Sequence, residues 1–244
     1  MEVVAAKDRM RLRTTATVRN SLDRMSELPP PGLLYWFMHG LGRWLWPAFG
    51  GFDLSGTENI PESGPFLLIS NHQSALDPFF IQTWFRRPVH PMAKSTQFAS
   101  PIFAAVMKRC YSFPVRRFQV DPQAVRTALR RLRAGHPVHI YIEGERTWDG
   151  SLRPPRPGTV RLALKAGVPI LPCALDGAYD AMPRWDSRPR RSRVKVAFGE
   201  PFMLPQIDDR ASREAALPEA SARIIGAISD LLGVAPPGVD DDGT

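Results

Sequence analysis

Short apolar or β-rich runs alternate with helical segments through the middle of this chain, and that alternation limits the folds open to it. The runs are bounded by turn residues and lie at 64–70, 87–94, 136–144, 167–175 and 193–201. The helical segments lie at 78–85, 101–108, 122–134, 159–166 and 211–232. Strands that alternate with helices predict an α/β fold, a single domain with a largely parallel sheet flanked by helices. Alternation within 193–201 favours a position nearer a sheet edge.

The sequence divides into four parts. Residues 1–31 are predicted to form a basic flexible arm that ends in a proline run, and residues 235–244 an acidic flexible tail. The α/β domain is predicted to cover residues 53–234. Between the arm and the domain, residues 32–52 form an amphipathic, tryptophan-rich segment.

This segment has the composition of a helix that lies in a membrane interface. Its three tryptophans stand among leucine, phenylalanine and methionine, at Trp36, Trp44 and Trp46. Its helical part is expected to end near Pro47, which leaves roughly 14 residues, whereas a membrane-spanning helix needs about 20. Aromatic residues beside the basic Arg43 favour interfacial contact. A helix packed on the protein's own core is the alternative.

The chain is basic. It has 32 Lys and Arg against 24 Asp and Glu, a net charge of +8 with an isoelectric point near 10.1. Such a balance suits nucleic acid, a phosphorylated substrate or an acidic lipid surface. No basic face is interleaved with aromatic residues, so a nucleic-acid partner is not expected. The basic cluster at 188–195 is either a solvated face or a surface for anionic lipid.

Cysteine and histidine usage argues against disulfide and metal sites. The two cysteines, Cys110 and Cys173, provide no disulfide framework and no cysteine-rich zinc pattern. His136 and His139 are three apart on a predicted strand and therefore point to opposite faces. No metal is expected. The N-terminus lacks the apolar core of a secretory signal peptide.

A histidine and an aspartate follow the predicted strand at 64–70, in the stretch ISNHQSALDPFF. Imidazole exchanges a proton near neutral pH, and a carboxylate bonded to one ring nitrogen fixes its tautomer and supports its protonated form. His72 and Asp77 come within hydrogen-bonding reach if the chain turns into a helix after the strand. In the alternative interpretation, Asp77 only caps a helix that begins at Pro78.

Two further stretches place arginines at strand ends. In IYIEGERTWDG, Glu143, Gly144 and Arg146 leave a strand together, and in YSFPVRR a short apolar run ends on Arg116 and Arg117. The planar guanidinium group of arginine binds phosphate oxygens well. Because sites in parallel sheets form at the carboxyl ends of strands, chemistry is expected at this edge. A solvated turn with a surface ion pair is the alternative for the first stretch.

Taken in order, these stretches resemble the motifs of the glycerophospholipid acyltransferase family, whose best-known members are the 1-acylglycerol-3-phosphate acyltransferases. The resemblance covers about residues 33–203. The stretch 71–77 is similar to the family's NHxxxxD motif, 113–117 to its second motif, 142–147 to its FPEGTRS block and 168–172 to its VPIVPV strand. Four motifs in the same order are far more specific than any one of them.

The resemblance implies transfer of a fatty acyl group from acyl-CoA or acyl-carrier protein to the free hydroxyl of a lysophospholipid. The first choice of acceptor is 1-acylglycerol-3-phosphate, with phosphatidic acid as the product. Another lysophospholipid or an amino-acid lipid is the alternative acceptor, and a catalytically silent membrane-binding protein is the alternative from another class. The expected location is peripheral or monotopic, on the cytoplasmic face of an anionic membrane. No cofactor beyond the acyl co-substrate is expected.

The resemblance also assigns roles to residues. His72 and Asp77 are implied as the catalytic pair, with His72 as the general base. The implied substrate-binding residues are Asn71, Arg117, Glu143, Gly144, Arg146 and Thr147. Among them, Arg117 falls on the family's phosphate-binding arginine, and Glu143 is expected to orient the arginines rather than to contact phosphate.

The chain departs from the family pattern at four positions. It has Ile142 where proline is usual, Glu145 where threonine is usual, Arg116 where aspartate is common and Arg156 where lysine is common. Glu145 adds negative charge beside the expected phosphate site, which leaves the exact acceptor open. We hypothesise that Glu145 and Arg116 form an ion pair that restores the net charge of the site. Independence of two exposed side chains is the alternative.

Overall fold

The computed structural model of the protein describes residues 30–45, 50–207 and 209–238. Its strands are β1 Phe52–Ser55, β2 Leu67–Ser70, β3 His90–Lys94, β4 Phe113–Val115, β5 Val138–Tyr141, β6 Ile170–Asp176 and β7 Val194–Phe198. They form one sheet in the order β1-β7-β6-β2-β5-β3-β4. All neighbouring strands are parallel except β6 and β7. The predicted α/β fold with a largely parallel sheet is confirmed.

Helices of different lengths precede, connect and follow the strands. They are α1 Leu33–Leu45, α2 Asp77–Gln82, α3 Pro101–Arg109, α4 Pro122–Arg133, α5 Pro157–Ala166, α6 Ala178–Ala181, α7 Arg210–Ala215 and α8 Leu217–Leu232. The start of α4 shows how the sequence sets these bounds. The carboxylate of Asp121 accepts the N–H groups of Gln123 and Ala124, and Pro122 has no N–H to leave unsatisfied.

The helices cover both faces of the sheet, and each face has its own apolar core. On one face, α4, α5 and α8 pack against Leu67 and Ile69 of β2. On the other face, Phe80 of α2 packs near Phe66 and Leu68. Because successive residues of a strand point to opposite faces, the continuous apolar run at 66–69 serves both cores. The central strands are therefore buried, and their carboxyl ends hold the loops that carry the site.

The five predicted strands are present, each shorter than its apolar run. The strand from 193–201, β7, lies next to the edge strand β1. Two strands were not predicted as strands: β1, and β4 within the apolar run at 111–117. They have four and three residues, which is too short for an alternating pattern to show.

The single helix predicted over 211–232 is wrong. The structure has two helices, α7 and α8, separated at Ala216. Pro218 lies in the first turn of α8, where a residue without an N–H is tolerated but cannot continue a helix from upstream.

The tryptophan-rich helix is present as α1, and one side of it packs on the domain. Tyr35 is buried, and its ring meets that of Tyr111 edge-on at 5.5 Å. The imidazole of His39 contacts the carbonyl of Phe85, and the hydroxyl of Thr83 donates to the carbonyl of His39. Another side of α1 exposes the apolar side chains of Leu33, Leu34, Trp36 and Phe37. The helix thus combines core contact with an exposed apolar surface.

Several parts of the N-terminal and C-terminal predictions lie outside the described residues. These are the side chain of Trp44, Trp46 with Pro47, residues 1–29 of the arm and residues 239–244 of the tail. In the ranges that the structure describes, no helix has the length and apolar character needed to cross a membrane.

Candidate active site

The structure brings His72 and Asp77 together. His72 lies in the loop after β2, and Asp77 is the first residue of α2. Nδ1 of His72 lies 2.7 Å from Oδ2 of Asp77, and both side chains are buried. The same carboxylate accepts the backbone N–H groups of Gln73 at 2.7 Å and Ser74 at 2.9 Å. These bonds fold the loop back on itself, which is how two residues five apart come into contact.

The interpretation of Asp77 as only a helix cap is wrong. A capping carboxylate accepts N–H groups of the first helical turn, whereas Asp77 accepts those of Gln73 and Ser74 in the loop before the helix. The residue at the cap position, Leu76, makes no side-chain capping bond. The carboxylate therefore serves the loop and the imidazole.

The environment of His72 favours a neutral imidazole. Burial lowers the pKa of His72 below its ordinary 6.5, the hydrogen bond to Asp77 opposes that shift, and the charges of Arg117 and Arg146 lower the pKa further. Nδ1 is held by the carboxylate, and Nε2 has no hydrogen-bonding partner within the described residues. A neutral ring with one free nitrogen is the form that a general base requires.

The turn after β5 is fastened to the histidine loop. The N–H of Thr147 donates to the carbonyl of His72 at 2.8 Å, and the N–H of His72 donates to Oε1 of Glu143 at 3.3 Å. Gly144 has a φ of 71°, a conformation that favours glycine, and a Cβ there would lie 3.0 Å from Cγ of Arg156. These residues shape the site through the backbone. Direct substrate contact by Glu143, Gly144 or Thr147 stays a prediction.

Glu143 does not orient the site arginines, so that expectation is wrong. Its Oε1 accepts the N–H of His72, and its Oε2 has no hydrogen-bonding partner among the described atoms. Burial raises the pKa of Glu143 to about 8. The carboxyl group is therefore largely protonated at neutral pH, and it holds the loop without adding negative charge beside Asp77.

Asn71 joins β2 to β6 by its side chain. Its amide nitrogen donates to the carbonyl of Leu175, and its amide oxygen accepts the N–H of the same residue, both at 2.8 Å. The amide is largely satisfied inside the protein. A substrate contact by Asn71 stays a prediction. The donor for such a contact would be the second N–H of its amide group.

Two guanidinium groups lie near the dyad without an anion to bind. Arg117 follows β4, Arg146 follows the turn after β5, and both are partly buried. In the described part of the chain, neither side chain has a hydrogen-bond acceptor. Burial lowers the pKa of both groups, and the charge of Arg146 lowers that of Arg117 further. Two close, unpaired guanidiniums favour a ligand with several anionic oxygens, such as a phosphate.

The hypothesis that Glu145 pairs with Arg116 is wrong. Oε1 of Glu145 lies 3.1 Å from Nη2 of Arg156, and its Oε2 lies 3.3 Å from Nη1 of Arg184. Arg116 instead binds Asp121, with 3.3 Å between Nε and Oδ2. Asp121 follows Arg116 by five residues and is already fixed as the cap of α4, so it is the nearer carboxylate. Glu145 thus forms its ion pairs with two arginines other than Arg116, and its charge also raises the pKa of Arg117 against the effect of burial.

Gln73 and Arg184 also build the site, and neither was predicted. The side chain of Gln73 donates to the carbonyl of Gly150 at 3.1 Å and accepts the N–H of Ala178 at 3.0 Å, which links three loops. Arg184 lies over the ring of Trp148, with 3.5 Å between Cζ and the ring centroid. The position of Gln73 next to the histidine was a usable signal. Arg184 stands far along the chain, in a stretch without a recognisable pattern.

Tyr141 is a third residue that sequence reasoning missed. Its ring stacks on the imidazole of His72, with the two centroids 3.6 Å apart. The residue ends β5, beside Ser70 of β2, and only the pairing of those strands brings it to the histidine.

Three other buried residues that could carry chemistry, Ser74, His90 and Cys173, have structural surroundings instead. The hydroxyl of Ser74 donates to the carbonyl of Met182, and Cys173 is buried in β6. His90 stacks on Tyr111, and burial lowers its pKa to about 2. Across the described ranges, no group of three or more His, Cys, Asp or Glu side chains is placed to hold a metal ion.

Three members of the basic cluster at 188–195 form ion pairs. The pairs are Arg190 with Asp186, Arg193 with Asp53 and Lys195 with Asp176. Contact of the cluster with anionic lipid stays a prediction.

The fold and the site define an enzyme-like α/β domain that places a histidine–aspartate pair near two partly buried arginines at the carboxyl edge of a largely parallel sheet. A family model described as Acyltransferase matches residues 51–176, more than half of the chain. The chain belongs to the acyltransferase family, as its motifs indicated.

Relatives with established names support this membership. The chain is 30% identical to the 1-acyl-sn-glycerol-3-phosphate acyltransferase of Pseudomonas aeruginosa over 74% of each chain. It is 26% identical to the enzyme of that name from Bacillus subtilis, over 75% of this chain and 90% of the relative. Its identity to a chloroplastic 1-acyl-sn-glycerol-3-phosphate acyltransferase of Brassica napus is 32%, and there it spans 39% of the relative's length.

A solved structure has the same fold. The crystal structure of the 1-acyl-sn-glycerophosphate acyltransferase of Thermotoga maritima superposes with a TM-score of 0.63. The match covers 79% of this chain and 78% of that one, at 21% sequence identity.

Proposed function

We propose that this protein transfers a fatty acyl group from an acyl thioester to the free hydroxyl of 1-acylglycerol-3-phosphate, which gives phosphatidic acid. The observation that carries the proposal is the arrangement of the site. A buried His72–Asp77 pair with a 2.7 Å hydrogen bond lies beside two guanidiniums, those of Arg117 and Arg146, that have no hydrogen-bond acceptor among the described residues. One half of this arrangement activates a hydroxyl, and the other half binds a phosphate.

His72 acts as the general base in the proposed reaction. Its Nε2 takes the hydroxyl proton as the acceptor oxygen attacks the thioester carbonyl, and Asp77 supports the imidazolium that forms. The carbon–sulfur bond then breaks, and the leaving thiolate takes the proton from His72. A thiol with a pKa near 8.5 leaves readily, so the reaction needs neither a metal ion nor an organic cofactor beyond its thioester co-substrate.

The acceptor is held by its phosphate. Arg117 and Arg146 offer planar donors that match the oxygens of a phosphomonoester. Glu145 forms ion pairs with Arg156 and Arg184, and its single negative charge offsets only part of their positive charge. The remaining charge of Arg184 acts on Arg117 and Arg146 and adds to the attraction for an anion. The names of the relatives point to the same acceptor. Other lysophospholipids and amino-acid lipids are the alternative acceptors.

The acceptor and product are lipids, so the enzyme is proposed to work as a peripheral or monotopic protein on the cytoplasmic face of an anionic membrane. The exposed apolar side of α1 supports this, since Leu33 and Phe37 are 88% and 60% exposed. Trp36 on the same helix suits the headgroup region. The donor is acyl-CoA or acyl-carrier protein.

The test is an acyl-transfer assay on the purified protein, with product identified by mass spectrometry. 1-Acylglycerol-3-phosphate is compared with monoacylglycerol, which lacks the phosphate, and with lysophosphatidylcholine, in which the phosphate is capped. Each acceptor is offered acyl-CoA and acyl-carrier protein in turn. We expect phosphatidic acid as the main product and its loss in His72→Ala. Equal transfer to monoacylglycerol would contradict the phosphate site, and transfer by His72→Ala at the wild-type rate would contradict the dyad.

A further inference from the structure

The ring of Tyr141 lies flat on the imidazole of His72. The centroids are 3.6 Å apart, and the planes are inclined by 11°. Tyr141 pairs with Ser70 across β5 and β2, so the backbones of two neighbouring strands set the position of the stack. Both rings are buried, and the tyrosine hydroxyl has no hydrogen-bonding partner within the described residues. The contact that the structure provides is therefore made by the face of the ring.

We propose that Tyr141 is a positioning residue for the catalytic histidine. Its ring holds the imidazole of His72 in the plane that bonds Asp77, and its face stabilises the imidazolium that exists between proton uptake and thiol release. An aromatic face carries negative charge density and attracts a cation placed over it. The inference rests on the proposed function for its catalytic consequence, whereas the stack itself is a property of the fold.

The groups around the imidazole show why such support matters. The ionisable groups that face His72 or its neighbours come from five places in the fold. They are Asp77 from α2, Arg117 after β4, Arg146 and Glu143 from the turn after β5, His139 from β5, and Cys173 from β6, whose thiol burial keeps neutral by raising its pKa. The two arginines oppose a positive charge on the ring. Glu143 is largely protonated at neutral pH. Within the described part of the chain, Asp77 and the face of Tyr141 are thus the contacts that favour the imidazolium.

The second histidine near the stack adds no charge. His139 lies 4.5 Å from the ring of Tyr141, and its Nε2 is 2.9 Å from the hydroxyl oxygen of Ser70. Burial lowers the pKa of His139 to about 3, so this ring stays neutral through the working range of pH. A change in the titration of His72 after substitution of Tyr141 therefore reports on the stack.

The experiment compares Tyr141→Leu, which removes the ring, with Tyr141→Phe, which keeps it. In the full-length protein, NMR follows the titration of the His72 ring, whose signal is assigned by its loss in His72→Gln. Initial rates with acyl-CoA and 1-acylglycerol-3-phosphate give kcat and KM. We expect Tyr141→Leu to lower kcat about tenfold with little change in KM, and to lower the pKa of His72 by about one unit. Tyr141→Phe should retain the wild-type values.

The chain offers a matched control in a second stack of the same kind. His90 and Tyr111 stack with centroids 5.0 Å apart and planes inclined by 10°. Tyr111→Leu removes this contact from the fold without touching the dyad. It should lower thermal stability and leave both kcat and the His72 titration unchanged.

Several results would overturn the proposal. An unchanged titration and kcat in Tyr141→Leu would do so, as would a raised pKa of His72, which is the effect of water entering the gap. Equal losses in Tyr141→Phe and Tyr141→Leu would assign the effect to the hydroxyl. If Tyr141→Leu does not fold, phenylalanines with increasing numbers of fluorine atoms replace Tyr141. Fluorine weakens the negative charge of the ring face at nearly constant shape, so the pKa of His72 should fall stepwise. Because the titration needs no turnover, an inactive wild type would refute the proposed function and leave the stack measurable.

Discussion

Replacing Asp77 by asparagine tests the dyad most directly, because it removes one charge and almost no volume. The carboxylate accepts three donors, Nδ1 of His72 and the N–H groups of Gln73 and Ser74, at 2.7 to 2.9 Å. An asparagine side chain has one acceptor oxygen and one donor group in their place. Either the amide donor faces a backbone N–H, or it faces Nδ1 and forces the proton onto Nε2. In the second case the base nitrogen is blocked.

The magnitudes follow from this geometry. A donor left facing the buried loop costs about 1–3 kcal/mol of unfolding free energy. A lost charge at hydrogen-bonding distance from the imidazolium costs on the order of 4 kcal/mol in the transition state, which is about 10³-fold in kcat. We therefore expect Asp77→Asn to fold, to melt at a lower temperature and to lose about 10²–10⁴ in kcat.

The assay measures free thiol released from acyl-CoA, with calorimetry on the same samples. Asp209→Asn is the control, because Asp209 also accepts a backbone N–H, that of Ser212, but caps α7 far along the chain from the dyad. It should leave kcat unchanged and lower the melting temperature only slightly, because asparagine caps a helix about as well as aspartate does. If Asp77→Asn loses stability but keeps most of its kcat, Asp77 only shapes the loop and the assignment of the dyad fails.

Three further predictions concern the surface and the charges of the site. Leu33→Ser combined with Phe37→Ser should weaken flotation with anionic liposomes by roughly tenfold or more, because both exposed side chains lose apolar area. The control is Val234→Ser, at an exposed apolar position after α8, which should leave flotation unchanged. Glu145→Gln should release Arg156 and Arg184 from their ion pairs and lower KM for 1-acylglycerol-3-phosphate about two- to fivefold at low salt. This decrease in KM should disappear at high salt. A raised KM would show that Glu145 holds the site together. Glu143 binds a proton in the folded protein up to about pH 8, but in the unfolded chain only up to about pH 4.5. Its contribution to stability is therefore complete below pH 4.5 and is lost as the pH rises to 8. Glu143→Gln should therefore remove this fall in the free energy of urea unfolding. The control is Glu214→Gln, which should leave the fall in place, because Arg161 lowers rather than raises the pKa of Glu214.

Much of the fold could be predicted because its central strands are continuous apolar runs between turn residues. The strand β2 and the helix α4 carry their signals within a few residues, in the run at 66–69 and in the cap at Asp121. The four-residue β1 carries no such local signal, since its place at the sheet edge comes from pairing with β7. The break at Pro218 was visible in the sequence, but the apolar stripe on both sides of it dominated the prediction.

The site divides in the same way. The contact between His72 and Asp77 follows from a spacing of five residues, and motif order placed Arg117 and Arg146 beside it. The partners of Glu145 could not be predicted from the sequence, because Arg156 and Arg184 stand 11 and 39 residues away and no motif links them to Glu145. Charge alone suggested Arg116, but backbone geometry had already assigned that residue to Asp121.

The charge distribution of the site also gives the acceptor a part in activating its own base. In the free enzyme, Arg117 and Arg146 lower the pKa of His72, in addition to the larger effect of burial. A phosphate bound to both guanidiniums would offset their charge and raise the pKa of His72 towards its ordinary value, which makes the imidazole a stronger base once the acceptor is in place. The acidic limb of the kcat profile should therefore lie at a higher pH than that of kcat/KM, since the first reports the complex and the second the free enzyme. Arg146→Gln should reduce the separation between the two limbs. Coincident limbs in the wild type would show that the phosphate binds too far from the imidazole to affect it.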